Sequence, residues 1–317
     1  MSKRVLVLQG GRSNERAVSL RSAAAVTEAL RVSGYEVALG DPAEADFDLE
    51  KLAKDCGVVL IMIHGIDGED GAHQRQLEIL GKPFLGSGSV ACDLTLNKDR
   101  YRELVTKHGV RMAAGEVVNQ TQFNVSSLRQ APYVLKPLAG GSSVDTVIVH
   151  DMLREPGTRY FDDLFAKYGR MLLEELIAGQ EITIGVLGDQ PLPVILIKPP
   201  ENGDFDYENK YNGRSQEIVN PAQIPSETLQ EAQELALRTH QLTGCLHLSR
   251  TDMIVTANGG LFVLETNTLP GMTAQSLFPK MAAAVGYDMP RLVDRFVQMA
   301  LEQSRDRELL PANPEGA

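Results

Sequence analysis

The sequence predicts a mixed α/β protein that opens on a parallel sheet and carries a buried antiparallel hairpin towards its end. Two observations support this. Short apolar runs alternate with helical patterns through the first third of the chain, the pattern of β-α-β units. Much later, two runs rich in β-branched and apolar residues, Leu248–Thr256 and Leu261–Asn267, flank Asn258-Gly259. Asn-Gly between such runs is a strong hairpin signal. A chain of 317 residues, 43% of them hydrophobic, is long enough for two or three domains with sizeable cores.

Taken in order, RVLVL (4–8) reads as a short buried strand. Gly10-Gly11 and a polar stretch lead into a helix at 16–32, closed by Gly34. YEVAL and GVVLIMIHG are the second and third strands, and a helix follows at 72–80. Ligands of parallel sheets gather at the carboxyl ends of the strands, where Glu15 and His64 stand. The first loop is not G-x-G-x-x-G, so the dinucleotide fingerprint is absent. A single helix at 89–108 carries Lys98. Strands near GEVV, PYVLK, TVIV, MLLEE and EITIGVLG follow.

Lys136 ends an apolar strand just before the glycine-rich loop PLAGGSSV. Backbone N–H groups of Gly140, Gly141, Ser142 and Ser143 there could cradle phosphates, with Lys136 as a point charge beside them. Acidic residues after MLL could hold adenine and ribose. ENGDFDYENKYNGRSQ (201–216) reads as a long mobile loop. Residues 226–243 form an amphipathic helix, and the chain from Glu302 onward a frayed tail.

A two-residue type I′ turn in the hairpin puts Asp252 opposite Glu265 and Arg250 opposite Asn267. Both pairs share a face, because strand side chains repeat every two residues. Opposed Cβ atoms lie roughly 5 Å apart. Buried carboxylates at that separation must neutralise or hold a cation. With the Asn267 amide oxygen they are hard ligands, suited to Mg²⁺ bound together with substrate phosphates.

Net charge is −11, which argues against non-specific binding to nucleic acid or anionic membrane. No apolar run is long enough to span a membrane, and the first is too short for a secretory signal. Three widely spaced cysteines form neither a disulfide framework nor a zinc motif. A cytoplasmic location is expected.

At this point the residues resemble a known family. GGRSNERAVSLRSA, HGIDGEDGAHQRQLEILGKPFLGSG, and SRTDMIV followed by LETNTLPGMTAQSLFPKMA are similar, in this order, to signatures of the D-alanine–D-alanine ligases. The resemblance covers nearly the whole chain. It implies an ATP-grasp fold: an N-terminal parallel α/β substrate-binding domain (1–97), a central lid domain (98–183) and a C-terminal catalytic domain (184–317). It also implies ATP-dependent ligation of two D-alanines through D-alanyl phosphate, for peptidoglycan precursors, by a homodimer.

The family roles carry over residue by residue. Lys98 and Lys136, with Gly141, Ser142, Ser143 and Lys210, would meet the ATP phosphates. Glu174, Glu175, Ile177 and Glu181 would meet adenine and ribose. Asp252, Glu265 and Asn267 would hold two Mg²⁺ ions, or Mn²⁺. Glu15 would take the ammonium of the first D-alanine, helped by His64. Ser142 and Tyr211 would link to Glu15. Arg250 and the backbone near Gly271 would stabilise the oxyanion, and Ser276 and Leu277 would position the second D-alanine.

The chain departs from the family at Gly140, where an acidic residue is common, at Asp145, where glycine is common, and at His247, where a small residue is common. Asp145 is expected to turn its side chain away from the phosphates. The YENKY segment points to the dipeptide-forming subgroup. The competing readings are a ligase joining D-alanine to D-lactate or D-serine, and a catalytically inactive nucleotide-binding regulator.

Overall fold

The computed structural model describes residues 3–141, 144–199 and 215–309, with side chains to residue 303. The chain begins with β1 (Arg4–Leu8), α1 (Arg16–Val32), β2 (Glu36–Gly40), α2 (Leu49–Ala53), β3 (Val58–Ile61), α3 (Ala72–Ile79), β4 (Phe84–Leu85) and α4 (Ser89–Leu96). The four strands pair in the order β2-β1-β3-β4, all parallel. This is the expected opening sheet. β1, β3 and β4 are buried almost throughout, as parallel strands are when helices cover both sides, whereas β2 stands at the sheet edge with Glu36 and Leu39 exposed.

The helix expected over 89–108 is two helices. Asn97 is extended, and its side chain caps α5 (Lys98–Lys107) by accepting from Arg100 N at 3.1 Å. An asparagine side chain satisfies a helix's orphan N–H groups better than it serves a helix interior, so periodicity runs through a break that capping chemistry makes. Lys98 thereby becomes the first residue of a helix.

β5 (Gly115–Asn119), α6 (Gln120–Val125), β6 (Tyr133–Pro137), β7 (Val147–Val149), α7 (Thr158–Tyr168) and β8 (Arg170–Glu175) follow. Their sheet is antiparallel, ordered β5-β8-β6-β7. Phe123, Phe161 and Phe165 pack with Tyr133 beneath it.

The remaining elements are β9 (Gln180–Leu187), β10 (Gln190–Pro191), β11 (Ile195–Lys198), β12 (Gln216–Val219), α8 (Ser226–Leu242), β13 (Leu248–Val255), β14 (Leu261–Asn267), α9 (Leu277–Ala284) and α10 (Met289–Leu309). The main sheet runs β12-β11-β9-β13-β14, antiparallel throughout. Ile182, Ile184 and Val186 of β9 pack with α8 and with Tyr101 and Val105 of α5. The alternate residues Glu181, Thr183 and Gly185 face the other way.

The frayed tail expected from Glu302 is instead helical to Leu309. The buried side of α10 (Leu292, Val293, Phe296, Val297) joins α1 and β1 in one core. The last helix therefore covers the first sheet.

Candidate active site

The hairpin pairs Asp252 with Glu265 and Arg250 with Asn267, as expected, but by a different route. The turn is not two residues long. Gly259 N–H donates to Thr256 O, Thr256 N–H donates to Gly260 O, and Gly259 has φ 81°. The loop is therefore Ala257–Gly259, a three-residue connection with glycine in the left-handed position. That shifts the register by one, so Met253 faces Val263. Leu264 then bulges, and the bulge shifts the register back. Two one-residue departures cancel, and both acids face the same side.

Asp252 is buried. Arg250 holds it in a fork, Nε to Oδ1 and Nη2 to Oδ2, both 2.9 Å. Thr183 Oγ1 donates to Oδ1 at 2.5 Å, and Asn267 Nδ2 to Oδ2 at 3.2 Å. Glu265 Oε2 lies 3.8 Å from Lys98 Nζ. The donor chemistry suits a hard divalent cation. The amide orientation assigned to Asn267 sends its nitrogen to Asp252, so cation binding there requires the amide to turn over. Behind the hairpin, hydroxyls run from Thr239 to Thr251 (3.2 Å), Thr266 (3.0 Å) and Tyr101 (2.8 Å). They tie α8 and α5 to the strands that bear the acids.

A cavity of 490 Å³ lies over this face. Lys98, Lys136, Asp252 and Glu265 form its charged part, and Val134, Ile148, Leu196, Ile254 and Leu264 an apolar part. Glu174, Glu175, Ile177 and Glu181 also line it, as do Glu15, Gly65 and Gly141. Lys98 Nζ donates to Gly140 O at 2.7 Å and Lys98 N to Leu138 O at 2.9 Å, so the glycine-rich loop is bonded to the start of α5. The Glu174 carboxylate is turned to Lys136 at 2.5 Å and Arg102 at 3.1 Å.

Glu15 is buried at the start of α1, and a Cβ at Gly65 would lie only 2.4 Å from its Oε2. Glycine there leaves the carboxylate its space. The nearby Glu69 accepts from Gly65 N at 2.8 Å. Burial and the Glu15 charge push its carboxyl up to about 8. The sequence reading did not assign Glu69, although the acidic run in HGIDGEDG contained it.

Both ring nitrogens of His64 meet groups of the protein. Its Nδ1 donates to Leu269 O (3.1 Å) and its Nε2 accepts from Ser22 Oγ (2.9 Å). Ser22 Oγ in turn accepts from Met272 N at 3.2 Å. Burial pushes the imidazole down to about 4, so it is neutral and pins the loop containing Gly271 to α1. Asp41, also unassigned from sequence, anchors the first loop: it accepts from Gly11 N and Ala43 N and pairs with Arg16 at 2.7 Å.

Ser276 Oγ accepts from Thr273 N at 3.0 Å and lies 2.8 Å from Thr273 Oγ1. A Cβ on Gly271 would sit 2.8 Å from the same oxygen. Leu277 begins α9 and packs on the core. Ser142, Ser143, Lys210 and Tyr211 lie outside the described residues, as do most of the loop at 201–216 and YENKY. Among the described residues no three His, Cys, Asp or Glu side chains cluster as metal ligands; the hairpin supplies two carboxylates and an amide.

Two antiparallel sheets closing on a cavity that bears lysines and carboxylates, joined to a parallel α/β unit, make this an ATP-grasp protein. Comparison with known proteins agrees. The family described as D-ala D-ala ligase C-terminus matches residues 94–298. A D-alanine–D-alanine ligase of Nitratidesulfovibrio vulgaris is 38% identical over 303 residues, covering 94% of this chain and 98% of its own. One from Methylorubrum populi is 40% identical over 306 residues, covering 95% and 99%. The crystal structure of the Bacillus anthracis D-alanine–D-alanine ligase complexed with ATP superposes with TM-score 0.80 at 27% identity, over 96% of this chain and 99% of that one. The chain belongs to the D-alanine–D-alanine ligase family.

Proposed function

We propose that the protein joins two D-alanines to D-alanyl-D-alanine in an ATP-dependent, ADP-forming reaction that proceeds through D-alanyl phosphate and supplies peptidoglycan synthesis. The observation that carries this reading is the convergence of Lys98, Lys136, Asp252, Glu265 and Glu15 on one cavity.

In this reading the apolar part of the cavity takes adenine, and Lys98 and Lys136 offset phosphate charge. Asp252, Glu265 and Asn267 would hold two Mg²⁺ ions, which when bound neutralise phosphate oxygens. Glu15 binds the substrate ammonium and so orients the carboxylate to be phosphorylated. Asp252 keeps the Arg250 guanidinium aimed at the developing oxyanion, a contribution of about 3–4 kcal/mol per donor in comparable sites. The loops over the cavity exclude water from the acyl phosphate.

We take the first domain boundary at Asn97. Because β9 runs unbroken through Thr183 and Ile184, we take the second in the linker at 176–179. No helix among the described residues is long and apolar enough to cross a membrane. We propose a cytoplasmic homodimer.

The test is phosphate release from ATP with D-alanine, L-alanine or D-lactate as sole substrate, with the product identified by mass. Release with D-alanine alone, giving the dipeptide, is expected. Absence of release with all three substrates would favour the inactive nucleotide-binding regulator, and equal release with L-alanine would overturn the assignment.

A further inference from the structure

The wall behind the lysine end of the cavity holds an ion cluster that ties Lys136, through Glu174, to Arg102, a residue with no role in the reading above. Glu174, near the end of β8, is 4% exposed. Its two oxygens are shared out: Arg102 Nη1 lies 3.1 Å from Oε1, and Lys136 Nζ 2.5 Å from Oε2. Lys136 and Glu174 line the cavity, whereas Arg102 does not. Arg102 stands one layer back on α5, and its Nη2 donates to Ala113 O at 2.5 Å. The backbone of β5 closes the cluster from another side. A Cβ at Gly115 would come within 2.8 Å of Glu174 Cγ and 3.3 Å of Arg102 Nη1.

A carboxylate this far from water draws strongly on whatever cation faces it. With Lys136 as sole partner, Glu174 would take up the ammonium's charge, leaving a neutral pair at the phosphate end. Arg102 changes that balance. Its guanidinium is planar, always charged and fixed by two acceptors at once, so one oxygen of Glu174 is satisfied from behind. The cluster then carries a net charge of +1. Lys136 has three N–H donors; one faces Glu174, and two remain to be offered to the cavity.

We infer that Arg102 is a positioning residue for nucleotide binding: acting through Glu174, it leaves the charge of Lys136 available to the phosphates of the nucleotide. The inference rests on the reading of this cavity as the ATP site. It also gives Glu174 a role its sequence position did not suggest, as a link between two cations instead of a direct reader of adenine.

The experiment measures ADP binding by calorimetry, KM for ATP and for D-alanine, and melting temperature. The proteins are the wild type, Arg102→Met, Arg102→Lys, Glu174→Gln and the double variant Arg102→Met/Glu174→Gln. Arg102→Met is expected to weaken ADP about tenfold, equivalent to about 1.4 kcal/mol, and to raise KM for ATP in parallel. KM for D-alanine should stay within about twofold, and Arg102→Lys, which keeps the charge, should recover most of the ADP affinity. With glutamine at 174 there is no carboxylate to compensate, so Glu174→Gln and the double variant should bind ADP alike. That last comparison decides the matter even if Arg102→Met alone does not fold.

A folded Arg102→Met protein with wild-type ADP affinity would overturn the inference. So would a tenfold gap between Glu174→Gln and the double variant, because Arg102 would then be acting independently of Glu174. Failure of the wild type to bind ADP would overturn the nucleotide reading itself.

Discussion

Asp145 holds a left-handed backbone, φ 54°, a conformation that strains any residue with a Cβ. Its carboxylate accepts from Lys167 Nζ at 2.6 Å and from Tyr168 Oη at 2.5 Å. Those bonds hold the carboxyl below its usual range and turn it towards the end of α7. Asp145→Gly should lose the bonds and the strain together, so KM for ATP should change less than about threefold. Asp145→Ala keeps the strain and loses the bonds, and should cost roughly 1–2 kcal/mol in urea unfolding. An alanine variant more stable than the glycine variant would show that backbone strain is not what sets the balance here. At Glu15 the prediction concerns substrates. Glu15→Gln should raise KM for the first D-alanine much more than KM for ATP, since it removes charge from the ammonium site; equal effects would make Glu15 structural.

At the scale of elements, the hairpin depends on two irregularities that offset each other. The three-residue loop moves β14 by one position, and the bulge at Leu264 moves it back before Glu265. Side chains alternate along a strand, so a one-residue slip sends a residue to the opposite face. Deleting Leu264 would only straighten the strand and leave Asp252 opposite Glu265, so the pairing is tested by Glu265→Gln, which removes one of the two facing carboxylates. Ligation should fall by about a hundredfold or more, as when charge-stabilising groups are removed from comparable sites. Far-UV circular dichroism should change little. Activity that survived the substitution would mean that Glu265 is not a ligand. The break at Asn97 belongs to the same scale, because it starts a helix where Lys98 can reach both Gly140 O and Glu265.

Across the whole molecule, buried histidines link folding to pH. His64 and His240 are both buried, and burial pushes each imidazole down to about 4. His240 Nδ1 lies 2.7 Å from Ser249 Oγ, which ties α8 to β13. A base whose folded pKa lies below its unfolded value contributes stability that is complete above about 6.5, and that is lost as pH falls towards 4. Lowering the pH from 7 to 5 should therefore cost roughly 2 kcal/mol for each histidine. Urea midpoints across that window check this, and His240→Gln should flatten the slope. A midpoint constant between pH 7 and 5 would show that neither histidine resists protonation in the folded state.

By itself the sequence determined the order and type of most elements, because apolar periodicity and turn residues are local properties. Helices α1 and α8 and the strands of the hairpin were legible this way, and so was the pairing of Asp252 with Glu265. The three signatures made the family legible as well. Only the tertiary structure decided how the hairpin reaches that pairing, since a bulge at Leu264 leaves no local mark. Nothing near Glu174 in sequence announces Arg102, which comes from a helix that packs against another sheet. The partners of His64 show the same limit: Ser22 and Leu269, from two distant segments, meet its two nitrogens. Partnership in a folded core depends on which surfaces meet, and the last helix of this chain covering its first sheet is decided by packing between residues far apart in sequence.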